Sequence, residues 1–454
     1  MMQRRDVLKL LSLSTLALAG GGVLAACGSD SSAGGGGGGT GADGVRLVSA
    51  DVPRASGDPA AIAGMVAALH ASGGSLLGSV GTAQAGNLAL SPYSVLVAMA
   101  LTVNGAVGET RDQLLGLYGG ADTDTVNGGF NALTAHIESL SGEVEKRDGT
   151  KTDLALDAAN ALFGQQGVTW EEPFLEALAR EYGAGLQTVD YEGDTEAARG
   201  AINSWTAEQT RDKIPTIIPA GALDAMTRLV LVNTLYLKAP WEEPFEKGLT
   251  ETLPFTLVDG SQVQVPLMHT SGPVYAPYAT GDGWAAVQLA YAGGEVAMTV
   301  VLPDEGRYAD IEADVVSGAL PDYLSALAPG EVTVQLPSWT FRTQAPLKAA
   351  LEALGVEVAF DPDSADFSAM TTEEQLFVAA VLHEVYIAVD EEGTEAAAAT
   401  AVMLGATSAP VEPLELVADR PFLFVIHDVE HGTPLFLGRV LDPSQGLDAD
   451  PSAD

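Results

Sequence analysis

The sequence predicts an α+β fold, and three observations carry that prediction. Helix-start signals followed by apolar residues at helical spacing crowd the first half of the chain. A nearly continuous apolar run from Leu229 to Leu237 has the character of a strand covered on both faces. Strands and helices arrive in runs rather than in regular βαβ alternation, which separates α+β from a doubly wound sheet. With 454 residues and 47% hydrophobic content, the chain can bury one big core or two ordinary ones. A formal charge of −40 argues against a general nucleic-acid or anionic-membrane surface.

Residues 1–26 read as a targeting segment and not as part of the fold. A basic start (Arg4, Arg5, Lys9) precedes an apolar stretch from Leu8 to Ala26 that is rich in small residues near its end. Leu24-Ala25-Ala26-Cys27 resembles a bacterial lipobox, which makes Cys27 the expected lipidation site. Cys27 is the only cysteine in the chain, so intrachain disulfides are excluded. Arg4-Arg5-Asp6-Val7-Leu8-Lys9 resembles a twin-arginine export signal, with an ordinary basic leader as the alternative. Residues 27–57 are Gly/Ser-rich for much of their length, including consecutive glycines at 34–39, and read as a flexible tether.

The folded part is expected from Asp58-Pro59, a helix start followed by Ile62, Met65, Val66 and Leu69 at helical spacing. Ser91-Pro92 is a second start: the serine caps, and proline occupies the first helical position, where its missing N–H costs nothing. Further helices are expected over 124–141, 171–182 and 195–210, with a strand through Leu154, Leu156 and Ala158. Asp259-Gly260 between alternating apolar residues is a hairpin signal. Residues 284–303 supply more strand, 311–327 a helical pattern and 345–354 another. The run from Phe377 to Val389 reads as a strand.

Beyond that strand the character of the chain changes. In Glu391 to Ser408, residues Thr394, Ala396, Ala398, Thr400, Val402 and Leu404 make one small-to-apolar face at period two. Such a segment can lie exposed as a loop, or be buried as a strand at little steric cost. Conventional catalytic motifs are sparse. His427-Asp428-Val429-Glu430-His431 matches the H-x-x-E-H pattern of some zinc proteases, a chemistry that needs both histidines on one helical face. Here an apolar run leads in and Gly432-Thr433-Pro434 comes after, which reads as strand then turn, so no metal site is expected. No G-x-S-x-G, S-x-x-K or cysteine nucleophile is present, and the chain reads as a protein acted on by a protease more than as one itself.

Several stretches in order resemble one family. Glu391-Glu392-Gly393-Thr394-Glu395-Ala396-Ala397-Ala398-Ala399-Thr400 after a buried strand resembles the reactive-centre-loop hinge of inhibitory serpins. Asn87 to Ser94 resembles the family's N-S-P-x-S element, and Leu229 to Trp241 its L-V-N-A-I-Y-F-K-G-x-W run, with Thr234 and Ala239 replacing the usual Ala and Gly. Ala418 to Phe424 and Gly432 to Val440 resemble its C-terminal signature. The resemblance implies a single large α+β domain over 58–442, with several helices, three β-sheets and an exposed reactive-centre loop, followed by a disordered acidic tail at 443–454. It implies suicide inhibition of a serine-type endopeptidase, with cysteine proteases as a further target class and no enzymatic activity. The alternative is a serpin-fold surface protein that binds without inhibiting.

The same resemblance assigns residues. The reactive bond falls at Thr407-Ser408, fourteen positions beyond the hinge Gly393. Ser91, Ser94, Asn233 and His383 would form the polar shutter beneath the opening of the main sheet, and Trp241 would mark the breach where insertion begins. The small residues Gly405-Ala406-Thr407 suit an elastase-like or subtilisin-like target. No cofactor and no nucleic-acid partner are expected. The protein is read as an exported monomer, held on the periplasmic side or cell surface only through the lipid on Cys27.

Overall fold

A computed structural model describes residues 44–395 and 414–446. The targeting segment, Cys27, the hinge residues Ala396 to Thr400 and the Thr407-Ser408 bond lie outside the described residues.

The first sheet holds the feature most telling for function. Its order is β1 (Arg46–Val48), β5 (Leu186–Val189), β4 (Lys151–Gln165), β6 (Leu229–Pro240), β15 (Gly393–Thr394), β14 (Ala380–Val389) and β13 (Trp339–Pro346), with β3 (Gly142–Glu145) paired to β4. β6 is buried almost throughout, as its unbroken apolar run requires. Its odd-numbered residues Leu229, Leu231, Leu235 and Leu237 enter the main core, while Val230 and Val232 enter a smaller core on the opposite face.

The second sheet runs β2 (Leu88–Leu90), β18 (Pro434–Val440), β17 (Phe422–Asp428), β11 (Val296–Pro303), β10 (Trp284–Ala290), β9 (Val274–Gly281), β12 (Ala328–Pro337), β8 (Gln262–His269) and β7 (Glu251–Thr256). β16 (Leu414–Val417) pairs with β12. The described strands thus fall into two hydrogen-bonded sheets where three had been implied. β9 pairs with both β10 and β12, so what would be separate sheets run together.

The helices are α1 (Ile62–Ala83), α2 (Pro92–Val103), α3 (Gly108–Gly116), α4 (Thr123–Ser139), α5 (Glu172–Tyr182), α6 (Thr195–Gln209), α7 (Tyr308–Val316), α8 (Leu320–Ala326) and α9 (Lys348–Ala353). A 3-10 turn, Pro59–Ala61, leads into α1 with Asp58 as its cap, its carboxylate accepting from the Ala60 N–H at 3.0 Å. α2 starts where Ser91-Pro92 predicts, and every one of its residues is buried. The helix expected over 311–327 is broken in two by Gly318, whose φ of +99° no helix accommodates. The one expected over 345–354 is shortened because β13 runs through Pro346.

Three boundaries are corrected. The tether was expected to reach residue 57, but Arg46–Val48 adds an antiparallel edge strand to β5, from Arg46 opposite Thr188 to Val48 opposite Leu186. Arg54 then bonds Asn131 through Nε at 2.8 Å, and the Ala55 N–H donates to the Arg180 carbonyl at 2.7 Å. An edge strand contributes backbone hydrogen bonds without needing an apolar stripe, so composition does not reveal it. At the other end, the tail begins with a turn in which Asp442 accepts from the Ser444 N–H at 3.0 Å. The strand expected from Phe377 starts at Ala380 instead, with Val378 and Ala379 docked on the Ala359 and Leu229 carbonyls.

Candidate functional site

β14 and β6 are parallel neighbours from Ala380 opposite Val230 to Val385 opposite Leu235. Beyond that point they part, and β15 lies between them, antiparallel to both: Thr394 sits opposite Ala239 on one side and Val389 on the other. The chain reaches this position through a tight turn. The Asp390 carboxylate accepts from the Glu392 and Gly393 N–H groups at 2.8 and 3.1 Å, and the Asp390 N–H donates to the Gly393 carbonyl at 2.9 Å. Burial raises the Asp390 pKa above the usual carboxylate value, against the pull of these two N–H groups.

Each hinge residue within the described part has a specific hold. Glu391 accepts from Thr250 Oγ1 at 2.7 Å, and its carbonyl takes the Phe245 N–H at 2.9 Å. Glu392 pairs with Lys247, and its carbonyl takes the Trp241 N–H at 2.8 Å. Gly393 has φ +154°, and a Cβ there would stand 2.2 Å from the Ala239 carbonyl oxygen, so only glycine fits against β6. Thr394 is 2% exposed, with its hydroxyl 2.7 Å from Tyr291 Oη. At Glu395 the strand ends: φ is +53°, a left-handed conformation unusual for a non-glycine residue, and the carboxylate is clamped by Lys213 at 2.6 Å. The Glu395 hydrogen bond raises the Lys213 pKa.

Trp241 stands at this end of the sheet. Its ring stacks on Tyr291 with centroids 4.4 Å apart, and its indole N–H donates to the Asp390 carbonyl at 3.0 Å. The residue expected at the breach therefore braces the turn that delivers β15.

The four expected shutter residues come together where the start of α2 packs against the same sheet, Ser91 and Ser94 from the helix and Asn233 and His383 from β6 and β14. Ser91 caps α2 by accepting from the Ser94 N–H at 3.1 Å, and its own N–H donates to His383 Nε2 at 2.9 Å. Because Nε2 accepts, the ring proton sits on Nδ1, which donates to Asn233 Oδ1. Burial lowers the His383 pKa to about 4, which keeps this neutral tautomer in place. Ser94 Oγ donates to Asn160 Oδ1 at 2.6 Å, a partner on β4 that sequence reasoning missed. Its signal was present, since a lone asparagine in the apolar alternation of Leu154 to Leu162 needs a partner once buried. Asn233 Nδ2 and Thr234 Oγ1, both buried, have no hydrogen-bond partner among the described residues. Tyr291 and Lys213 were also missed, having no local pattern to mark them.

The H-x-x-E-H match takes the predicted form of strand then turn. His427 lies on β17, buried, with Nε2 3.0 Å from Thr299 Oγ1, while His431 lies beyond the strand's end. The two histidines share no helical face, and the zinc-protease arrangement is absent.

A family model described as serpin (serine protease inhibitor) matches residues 71–443. The chain is 34% identical over 370 residues to the human leukocyte elastase inhibitor, covering 79% of this chain and 94% of that protein. It is also 34% identical over 364 residues to an uncharacterised serpin-like protein of Thermococcus kodakarensis, covering 79% of this chain and 82% of the relative. Among solved structures, the native state of the thermophilic serpin tengpin superposes with a TM-score of 0.75 at 26% identity, covering 87% of this chain and 97% of tengpin. The opened strand pair, the polar cluster beneath it and these matches lead to one conclusion: the chain belongs to the serpin family.

Proposed function

We propose that the protein inhibits a serine-type endopeptidase as a suicide substrate. The target attacks the Thr407 carbonyl, forms an acyl-enzyme and releases Ser408 as a new N-terminus. The severed segment then enters the sheet behind β15 and carries the acylated protease along. A strand spanning Thr394 to Thr407 covers roughly 45 Å at about 3.3 Å per residue, enough to drag the attached enzyme down the body of the inhibitor.

The observation that carries this reading is β15 wedged between β6 and β14. Once Glu395 leaves its left-handed conformation for an extended one, the register continues in regular steps. On β6, Thr394 faces Ala239, so two-residue steps put Ala396 opposite Leu237, Ala398 opposite Leu235 and Thr400 opposite Asn233. On β14, Thr394 faces Val389, and the same steps bring Thr400 opposite His383. His383 and Asn233 are themselves paired across the intact sheet. Insertion would thus set Thr400 between the two residues that hold the strands together below. It would also replace one parallel pairing by two antiparallel ones, the more stable kind per residue. The alanines at 396 and 398 present little volume to the core face, and Ala397 and Ala399 little to the opposite face.

The site's small primary residues favour an elastase-like or subtilisin-like target, with cysteine proteases as a second class. We further propose export and lipid anchoring through Cys27, a reading supported by the sequence of residues 1–27. The test is incubation with a panel of serine and cysteine proteases followed by denaturing electrophoresis. An adduct that survives SDS supports trapping. Clean cleavage with no adduct by every protease tested favours the serpin-fold binding protein that does not inhibit.

A further inference from the structure

The chain has six histidines, and four of them gather around one turn. That turn, Val429 to Gly432, joins β17 to β18. His70 Nε2 lies 2.9 Å from the Gly432 carbonyl, and His427 Nδ1 lies 3.0 Å from the Asp428 carbonyl. The other two, His136 from the last turn of α4 and His431 from the turn itself, face each other with ring centroids 4.7 Å apart. Glu430 reaches both: its carboxylate oxygens lie 3.8 Å from His136 Nδ1 and 3.9 Å from His431 Nε2. One ligand atom from each of His136, Glu430 and His431 lies within 4.8 Å of the other two.

The arrangement behind these groups is specific. Asp428 is fully buried, and its Oδ1 lies 3.2 Å from His136 Nε2. The same carboxylate accepts from the His431 N–H at 2.8 Å and the Thr433 N–H at 2.7 Å, which fixes the shape of the turn. With the His136 Nε2 proton held by a buried carboxylate, Nδ1 carries the free lone pair, and it is Nδ1 that points to Glu430. A carboxylate behind a histidine whose other nitrogen faces an open site is the outer shell that metal-binding histidines use to set tautomer and basicity.

We propose that His136, Glu430 and His431 bind a divalent transition-metal ion of the zinc type, with water in the fourth position. Two imidazoles and one carboxylate suit zinc, nickel or copper and not calcium or magnesium, which take all-oxygen shells. Tetrahedral coordination at about 2.1 Å puts ligand atoms about 3.4 Å apart, so the two histidine ligand atoms, within 4.8 Å of each other, need to close by up to about 1.4 Å and the spacings from Glu430 by about half an ångström. Glu430 is largely exposed and can supply the latter movement. The ion would tie α4 to the hairpin of the second sheet, and its binding to the folded state alone would stabilise that link. This is not the chemistry of the H-x-x-E-H motif, since His427 takes no part and a helix from elsewhere in the sequence supplies the second histidine.

The experiment uses the full chain carrying Cys27→Ser, to remove the one thiol, after exhaustive treatment with a chelator. Zinc chloride is titrated by calorimetry and cobalt chloride by visible absorption. The expected result is saturable binding of one equivalent, the intense visible bands of four-coordinate cobalt, and a higher thermal midpoint with zinc. Glu430→Gln and His431→Ala, both at the turn and remote from the core, should each weaken binding by at least about tenfold and remove the thermal shift. His136→Ala should do the same. Absence of one-equivalent binding, or binding unchanged in Glu430→Gln and His431→Ala, overturns the proposal. Protease trapping is independent of either outcome.

Discussion

Thr394 gives the sharpest test of the sheet's partly opened state, because two substitutions there separate two consequences. Thr394→Val keeps shape and burial but leaves Tyr291 Oη without its 2.7 Å partner, a loss of about 1–3 kcal/mol. Thr394→Arg places a charge where 2% of the residue is exposed, and an unpaired buried charge costs several kcal/mol or more. The protein has an easier escape, which is to expel β15. That forfeits the Tyr291 contact and the short ladder that includes the bonds from Asp390 N–H to the Gly393 carbonyl and from Glu395 N–H to the Ala388 carbonyl. At about 0.5–1.5 kcal/mol per bond, the loss saturates near about 2–4 kcal/mol. Urea unfolding followed by tryptophan emission measures it, with Trp241 stacked on Tyr291 as a local reporter. Both variants should unfold earlier than the parent. Adduct formation should survive in Thr394→Val and collapse in Thr394→Arg, which becomes a substrate because its strand cannot enter past the first position. An arginine variant with the parental midpoint and parental adduct yield would refute the reasoning, as would a valine variant that loses trapping equally.

Three further outcomes are expected. His383 and His70 are both held by burial at a pKa of about 4, below the ordinary 6.5, so between those values the unfolded chain takes up protons that the native one refuses. Stability should therefore be level above about pH 6.5 and fall as the pH drops towards 4, by up to roughly 3 kcal/mol per histidine, and urea midpoints across that range check it. A level profile through the window would show that neither ring is shielded as described. Cleavage within 401–408 should raise the thermal midpoint, because the inserted strand adds two antiparallel ladders; cleaved and intact forms melting together would rule out stored strain. Mass spectrometry of the fragment released from a protease adduct should find Ser408 as its N-terminus, and a start upstream of Gly405 would contradict the assigned bond.

How far the sequence foretold this depends on whether a residue's role is local. Ser91-Pro92 announces a cap and a helix start in adjacent positions, and both are there. The apolar run of β6 announces a doubly covered strand, and it is buried nearly end to end. The shutter residues were named by resemblance to serpins, and the structure brings all four into one chain of hydrogen bonds. Partners supplied by distant segments were not legible. Lys213 meets Glu395, Tyr291 meets Thr394, and His136 meets His431, each across a gap in sequence that no periodicity bridges. Arg46–Val48 was missed for a different reason: an edge strand is defined by the backbone of its neighbour, and its own three residues carry no pattern.

Under the proposed insertion, the Asn233 amide, which has no hydrogen-bond partner among the described residues, is one place where the intact fold would hold energy in reserve. If Thr400 arrives opposite Asn233 on insertion, the amide gains a neighbour with a hydroxyl, and part of the driving force is released at that one spot. Stability and function then pull in opposite directions at a single side chain. A substitution that gives Asn233 Nδ2 a partner in the intact protein, while Oδ1 keeps its bond from His383, should make a sturdier molecule and a slower trap, since it cancels in advance what insertion was to gain. Attempts to toughen this protein would do best at the far edge of the sheet, around β1 and β5, away from the gap that the proposed insertion would fill.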